Sequence, residues 1–219
     1  MPVILEQPRG ADALVDQFRD QIEAAQQITT EAAEAVAAVN ADPDLSDEGK
    51  AKRIAQINRD ALKKLGETAD TLDKHGGIVR EQMIEPLPYV EAYQTGDYAT
   101  PTIDVQLVQA FKGLDNNARM QAIAAMQSGG DQRMCDAILR MPAILTGLSH
   151  TVLANLREAA VNRAHPEEVQ RRRSLEQAAS AARIMIGRTV DKVARDGRLS
   201  RQEQRETLGE AAKHFPHLY

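Results

Sequence analysis

The sequence predicts an all-α protein: a long antiparallel N-terminal helical hairpin followed by a C-terminal bundle of shorter helices. Three observations carry that reading. Apolar residues recur at helical spacing through most of the chain. Glycine and proline gather at a few joints, and alternating β-branched runs are almost absent. Alanine, glutamine, glutamate and arginine dominate the composition.

Residues 1–10 carry Pro2, Pro8 and Gly10 and read as an extended arm. The hairpin is expected over residues 11–85. Val15, Phe18, Ile22, Ala25, Thr29, Ala32, Val36 and Val39 follow alternating steps of three and four. That is the a/d seam of a coiled coil, bulky at its start and small in its middle. Asn40-Ala41-Asp42-Pro43-Asp44 stops the first helix, because proline lacks an amide hydrogen and forces its predecessor out of the helical region. Ser46, with Asp47 and Glu48 behind it, restarts the chain as an N-cap and two acids at the positive helix end. The second helix places Ile54, Ile57, Ala61, Leu65, Thr68 and Leu72 on one face, and Gly76-Gly77 is expected to end it. Each arm would be roughly 40–45 Å long at 1.5 Å per residue. Such an arm either projects or packs on other subunits, or its helices belong to an ordinary bundle.

Ile78 to Glu85 reads as a short helix, broken by Pro86 and Pro88. Residues 86–101 form a Pro/Tyr linker with Tyr89, Tyr93 and Tyr98, three of the protein's seven aromatics. A spacer does not need aromatic rings. They pin the linker to the body or offer a surface to a partner protein. A helical bundle is expected over 102–214. Val105, Leu107, Val108 and Phe111 mark its first helix. Asp115 caps a second, with Met120, Ile123, Ala124 and Met126 inward and Gly129-Gly130 at its end. Asp131 opens a third through Met134, Cys135, Ile138 and Leu139 to Pro142. Leu145, Leu148, Val152, Leu156 and Ala160 make one amphipathic stripe from Ala143. Met126, Met134 and Met141 fill core gaps.

His165-Pro166-Glu167-Glu168 starts a long helix running to about Arg195, with Val169, Leu175, Ala178, Ala182, Met185 and Val193 inward. Gly197 suits a left-handed stop, and Ser200 with Glu203 reads as a capping box for a last helix to about His214. Residues 215–219 form an apolar tail. Phe215, Leu218 and Tyr219 either cap the chain's own core or dock on a neighbour.

Charge is uneven. Residues 1–100 hold 10 basic against 19 acidic residues, and residues 101–219 hold 17 against 13. Such a molecule could associate head to tail with its own copies, acidic half against basic half. The net charge of −5 argues against a general nucleic-acid binder. Arg171-Arg172-Arg173 is the densest basic run, preceded by Arg163, and consecutive arginines spread around a helix. They read as a solvated face, as partners for acids of a neighbouring subunit, or, with least support, as nucleic-acid contacts.

No constellation spells out a catalytic site. Asp42, Asp44 and Ser46 mimic the start of a calcium loop, but Asp47 and Arg53 stand where glycine and the bidentate acid belong. Around Asp196 and Glu203 the first and third ligand positions are Lys192 and Ala194. The five histidines form no zinc-protease or di-iron pattern, and no phosphate-binding glycine loop appears. Cys135, the one cysteine, reads as a small buried residue. The expectation is therefore a non-enzymatic protein with no catalytic residues, no metal site and no cofactor. Met1 to Leu5 is too short for a signal-peptide core, and no apolar run reaches the ~18 residues of a membrane span. A soluble, cytosolically made protein is expected.

The stretch Asp42-Pro43-Asp44-Leu45-Ser46-Asp47-Glu48-Gly49-Lys50-Ala51-Lys52-Arg53-Ile54 resembles a joint in small helical structural and assembly proteins of tailed bacteriophages. The resemblance covers under a tenth of the chain. It implies a virion or head-assembly component, oligomeric, non-enzymatic and made in a bacterial cytoplasm. Its partners would be its own copies and other structural proteins. The alternative is a bacterial cytosolic adaptor or regulator that binds a partner through the hairpin.

Overall fold

The computed structural model describes residues 12–218. The extended arm expected at residues 1–10 and the terminal Tyr219 lie outside the described residues. Every regular element among the described residues is helical, so the all-α class is established. The chain forms two compact units. One joins the segment up to Ile84 to the segment from Arg172 onward; the other is Glu85–Arg171.

In the first unit, α1 (Ala13–Ala41) is capped by Asp12, whose carboxylate accepts from the Leu14 N–H at 2.9 Å. Its buried residues Val15, Phe18, Ile22, Ala25, Ala32 and Val39 are the predicted seam. The Asp42–Ser46 joint turns the chain, and Ser46 Oγ accepts from the Gly49 N–H at 3.2 Å. Then α2 (Asp47–Ile84) runs 38 residues without interruption. The expected stop at Gly76-Gly77, and the separate short helix after it, are not found. Two mid-helix glycines cost about 1 kcal/mol each against alanine, and packing outweighs that. Val79 is buried in the core beyond them. A Cβ on Gly76 would stand 3.0 Å from an Arg183 nitrogen, so the glycine makes room for a side chain of the next helix.

That next helix is α8 (Pro166–Asp196), which supplies its residues from Arg172 to this unit. Arg183 lies opposite Asp73 and Gly197 opposite Asn58, so the segment runs antiparallel to α2. Leu175, Ala178, Ala182, Ile186, Val190 and Val193 are buried. Ile186 and Val190 were not expected inside; Val169 and Met185 were, and are only half-buried. The hairpin therefore shares one core with the C-terminal segment, and the expected 102–214 bundle divides at about Arg171. The physical reason is the thin hairpin seam. Small residues such as Ala25, Ala32, Ala61 and Ala69 bury too little area alone and need a third helix.

The joint after α8 also differs from expectation. Arg198, not Gly197, holds the left-handed position, at φ 51°. The Leu199 N–H donates to Ala194 O and the Arg198 N–H to Arg195 O, both 3.0 Å, the two bonds of a Schellman stop. Gly197 serves contact instead: a Cβ there would fall 2.6 Å from Asn58 Cβ. The Ser200–Glu203 capping box is present at the start of α9 (Arg201–Leu208). That helix stops at Gly209, φ 57°, short of His214, and two 3-10 turns follow, Gly209–His214 and Pro216–Leu218.

The second unit holds α3 (Ala99–Gly113), α4 (Asn116–Ser128), α5 (Gln132–Arg140), α6 (Ala143–Thr146) and α7 (His150–Ala164). Asp115, Asp131 and Ser149 cap α4, α5 and α7 through their side chains. Val108, Phe111, Ile123, Met126, Cys135, Ile138, Leu153 and Leu156 make its core. Met134 and Met141 pack partly buried against it. Met120 and Ala124, expected inward, are exposed, because α4 turns only Ile123 and Met126 to the core. Leu145 is also exposed: Gly147, at φ 68°, breaks the expected single stripe and re-aims the chain before α7.

Candidate functional site

The hairpin tip is the first part of the candidate site. The first unit's core takes residues of α1 up to Ala32 and of α2 from Ala55, and nothing between them. Eight or nine residues of each helix therefore extend roughly 12 Å beyond that core. The arm is neither wholly projecting nor wholly packed. At its end Asp42, Asp44, Asp47 and Glu48 fall within seven residues with no base among them. Asp42 is tied up by the Asp44 N–H at 2.9 Å, and Glu48 pairs with Lys52 at 2.7 Å on the exposed surface. Lys50 donates to Asn40 O at 3.0 Å, stapling the turn. Asp44 and Asp47 are exposed and have no ion-pair partner among the described residues.

An arginine groove is the second part. Asp191, Arg195, Arg198, Leu199, Arg201, His217 and their neighbours line an open groove of about 630 Å³ where α8, α9 and the tail meet. Ala194, Leu199 and Leu218 provide apolar floor. The nearby acids are already engaged. Asp191 binds His217 Nε2 at 2.8 Å, and Asp196 binds Lys192 at 2.8 Å. Glu203 faces Arg59 at 2.7 Å. The Ser200 N–H, the Arg59 guanidinium and the Ser200 hydroxyl hold its carboxyl down at about 2. Arg195 donates Nε to Asp191 O at 3.2 Å. Arg198 and Arg201 are exposed and have no ion-pair partner among the described residues.

The tyrosines separate into two roles. Tyr89 packs on the second core, and Tyr93 donates its hydroxyl to Asp104 at 3.0 Å. Both hold the linker to its own unit. Tyr98 is 85% exposed. Asp104 itself is fully buried and was not singled out in the sequence. It accepts from Arg140 at 2.7 Å and from Arg133, while Arg140 also donates to Glu91 O at 3.0 Å and lies over the Tyr93 ring. Burial pushes the Asp104 carboxyl up, but the bonds from Arg140, Tyr93 and Arg133 outweigh it and hold the carboxyl below the ordinary range. Burial, and then Asp104, raise Tyr93. The lone acid between Ile103 and Val105 was the one available signal.

The remaining expected contact residues are placed as follows. Arg171 pairs with Glu168 at 3.6 Å, and Arg172 and Arg173 are also engaged. Arg163, counted with them in the sequence, instead donates to Met126 O at 3.1 Å and caps the end of α4. Phe215 and Leu218 are buried in the first core, at 4% and 2% exposure, so they are not free to dock on a neighbour. Of the two readings of the tail, burial of these side chains fits self-capping rather than docking, with Pro216 turning the chain back. His214 Nε2 bonds Asp70 at 2.9 Å and His217 Nε2 bonds Asp191, clipping the tail to α2 and α8. His165 Nε2 donates to Pro88 O at 2.7 Å. Cys135 is buried, and burial raises its thiol above the ordinary value.

Among the described residues no group of three or more histidine, cysteine or acidic side chains is arranged to hold a metal ion. Nor is any helix among them long and apolar enough to cross a membrane. The fold thus defines an all-α protein of two helical units. No family model, curated protein or solved structure matches the chain.

Proposed function

We propose that this protein is a non-enzymatic structural or assembly component that works by helix–helix and charge-complementary contacts with its own copies and with other structural proteins. A bacteriophage virion or head-assembly role, made in a bacterial cytoplasm, is the specific form of the proposal. The observation that carries it is the hairpin tip. Two helices of 29 and 38 residues extend past the core they share, and their acids remain available to a partner. Asp104, Cys135, His165, His214 and His217 are taken up by buried or bonded structural contacts.

Sedimentation or light scattering at tens of micromolar tests the reading. Concentration-dependent assembly, alone or with co-expressed neighbours of its gene, is expected. A strict monomer under every such condition sinks it. A second reading is a bacterial cytosolic adaptor. Exposed Ile103 and Val105 on α3 and Ile144 and Leu145 on α6, two contacting helices, favour it as apolar surface for a partner. Recovery of one stoichiometric host protein, with no self-assembly, selects the adaptor.

A further inference from the structure

We propose that the acidic hairpin tip of one copy docks into the arginine groove of a second copy, so that copies join head to tail. The proposal rests on the assembly reading above and names its contact. The groove is lined by α8, α9 and the tail and by no residue of α1 or α2, so a chain's own tip does not fill it. Its cations, Arg195, Arg198 and Arg201, carry no carboxylate partner among the described residues, in a protein whose net charge is −5. In such a protein, three cations gathered around one acid that is already bonded to His217 mark a place where negative charge from outside is accommodated. Arg198 adds a second sign. It is the one non-glycine residue with positive φ among the described residues, a conformation that glycine would hold with less strain.

The tip supplies the matching ligand. Asp44 and Asp47 are exposed and have no ion-pair partner among the described residues, and they stand on a turn braced by the Lys50 and Ser46 bonds, so little order is lost on docking. Pro43 and Leu45 lie between the acids, and the groove floor offers Ala194, Leu199 and Leu218. Guanidinium forks suit carboxylates in geometry as well as charge. The whole-chain charge division is too coarse to be this contact. Up to residue 84 the chain holds 16 acids and 10 bases, and from residue 172 it holds 10 bases and 6 acids. Those two segments share one unit and meet in pairs such as Arg59–Glu203 and Arg183–Asp73. What remains for a neighbour is local: one tip and one groove per copy. A contact between unlike surfaces does not close on itself in a dimer; it builds rings or open filaments.

The test uses the full chain and two charge-reversed variants. Asp44→Lys with Asp47→Lys breaks the tip and keeps the groove. Arg195→Glu with Arg201→Glu breaks the groove and keeps the tip. All four positions are exposed, and unchanged thermal midpoints confirm that both variants fold. Analytical ultracentrifugation of the wild type at low salt should show species larger than dimer. Their dissociation constant should rise at least about ten-fold between roughly 50 and 500 mM salt, as screening requires. Each variant alone should be monomeric. An equimolar mixture should give a 1:1 heterodimer and nothing larger, because only one productive contact survives.

Wild-type assembly that neither variant disturbs overturns the docking contact and leaves the assembly function standing. A wild type that is monomeric alone but assembles with other structural proteins does the same. A wild type that never assembles overturns both. Saturable binding of pyrophosphate to the groove of a monomeric wild type, lost in the Arg195/Arg201 variant, assigns the groove to a small phosphate ligand and also overturns the contact.

Discussion

The two units solve the same problem in opposite ways. The first is built from long helices with small facing residues, joined along an extended apolar seam. Its ion pairs between distant segments, Arg59–Glu203 and Arg183–Asp73, sit at the half-exposed rim, while the buried Arg19 pairs within its own helix, at Asp16. The second unit has short helices and a small core, and it is tied together by one buried carboxylate. Asp104 on α3 binds Arg133 and Arg140 on α5 and Tyr93 of the linker. A long seam can distribute its stabilisation over many weak contacts. Short helices have few such contacts each, and a single polar hub then decides how they are joined.

The comparison predicts where each unit is brittle. Asp104→Ala should have the largest effect. It strips the half-buried Arg140 of its short carboxylate bond and leaves it Asp136 at 3.9 Å and the Glu91 carbonyl, with an expected loss of about 2–3 kcal/mol. Urea unfolding followed by tyrosine fluorescence, to which the second unit contributes Tyr89, Tyr93 and Tyr98, should show that unit melting early. If its midpoint is unchanged, the hub is not what joins α3 to α5.

Acid should act on the same hub with a smaller effect. The folded Asp104 carboxyl lies below its unfolded value of about 3.9. The fold therefore binds that proton less tightly than the unfolded chain does. Its contribution is full above about pH 4 and drains away as pH falls through the folded value. Glu203, at about 2, gives the first unit the same sign, its share vanishing between about pH 4 and 2. Asp136, raised by burial, works in the opposite direction and blunts the loss in the second unit. Stability measured from pH 5 down to 2 should fall, with a shallower slope in Asp104→Asn. A parallel slope in that variant would remove Asp104 as the cause.

Two substitutions at adjacent positions sharpen the account of the first unit. Gly197→Ala should destabilise it by about 1–2 kcal/mol, because the new Cβ collides with Asn58. Arg198→Gly should stabilise it slightly, by about 0.5 kcal/mol, by relieving a left-handed arginine. Differential scanning calorimetry distinguishes the two signs. Stabilisation by Gly197→Ala would mean that the α2–α8 approach is looser than the backbone distances require.

Local chemistry was legible without coordinates. The α1 seam, the Ser46 joint, the Asp115 and Asp131 caps and the Ser200–Glu203 box depend on residues within four positions of one another. Side-chain type and spacing determine such features. The candidate site was half legible. The acids of the tip stand together in sequence and in space. The arginines of the groove fall on a helix end, a joint and a helix start, and periodicity cannot be carried across that break. The denser Arg171–Arg173 run is the stronger basic signal in the sequence.

The helical class, most helix starts and the fold-back of the first two long helices all follow from residue type and spacing along the chain. Only the tertiary structure decided that α2 runs through Gly76-Gly77, that the C-terminal segment completes the hairpin's core, and that Asp104 is a buried hub. The division follows from range. Caps and periodic faces are properties of one stretch of chain. Passing a glycine or burying a charge is settled by a partner more than thirty residues away, as Arg183 is from Gly76 and Arg140 is from Asp104.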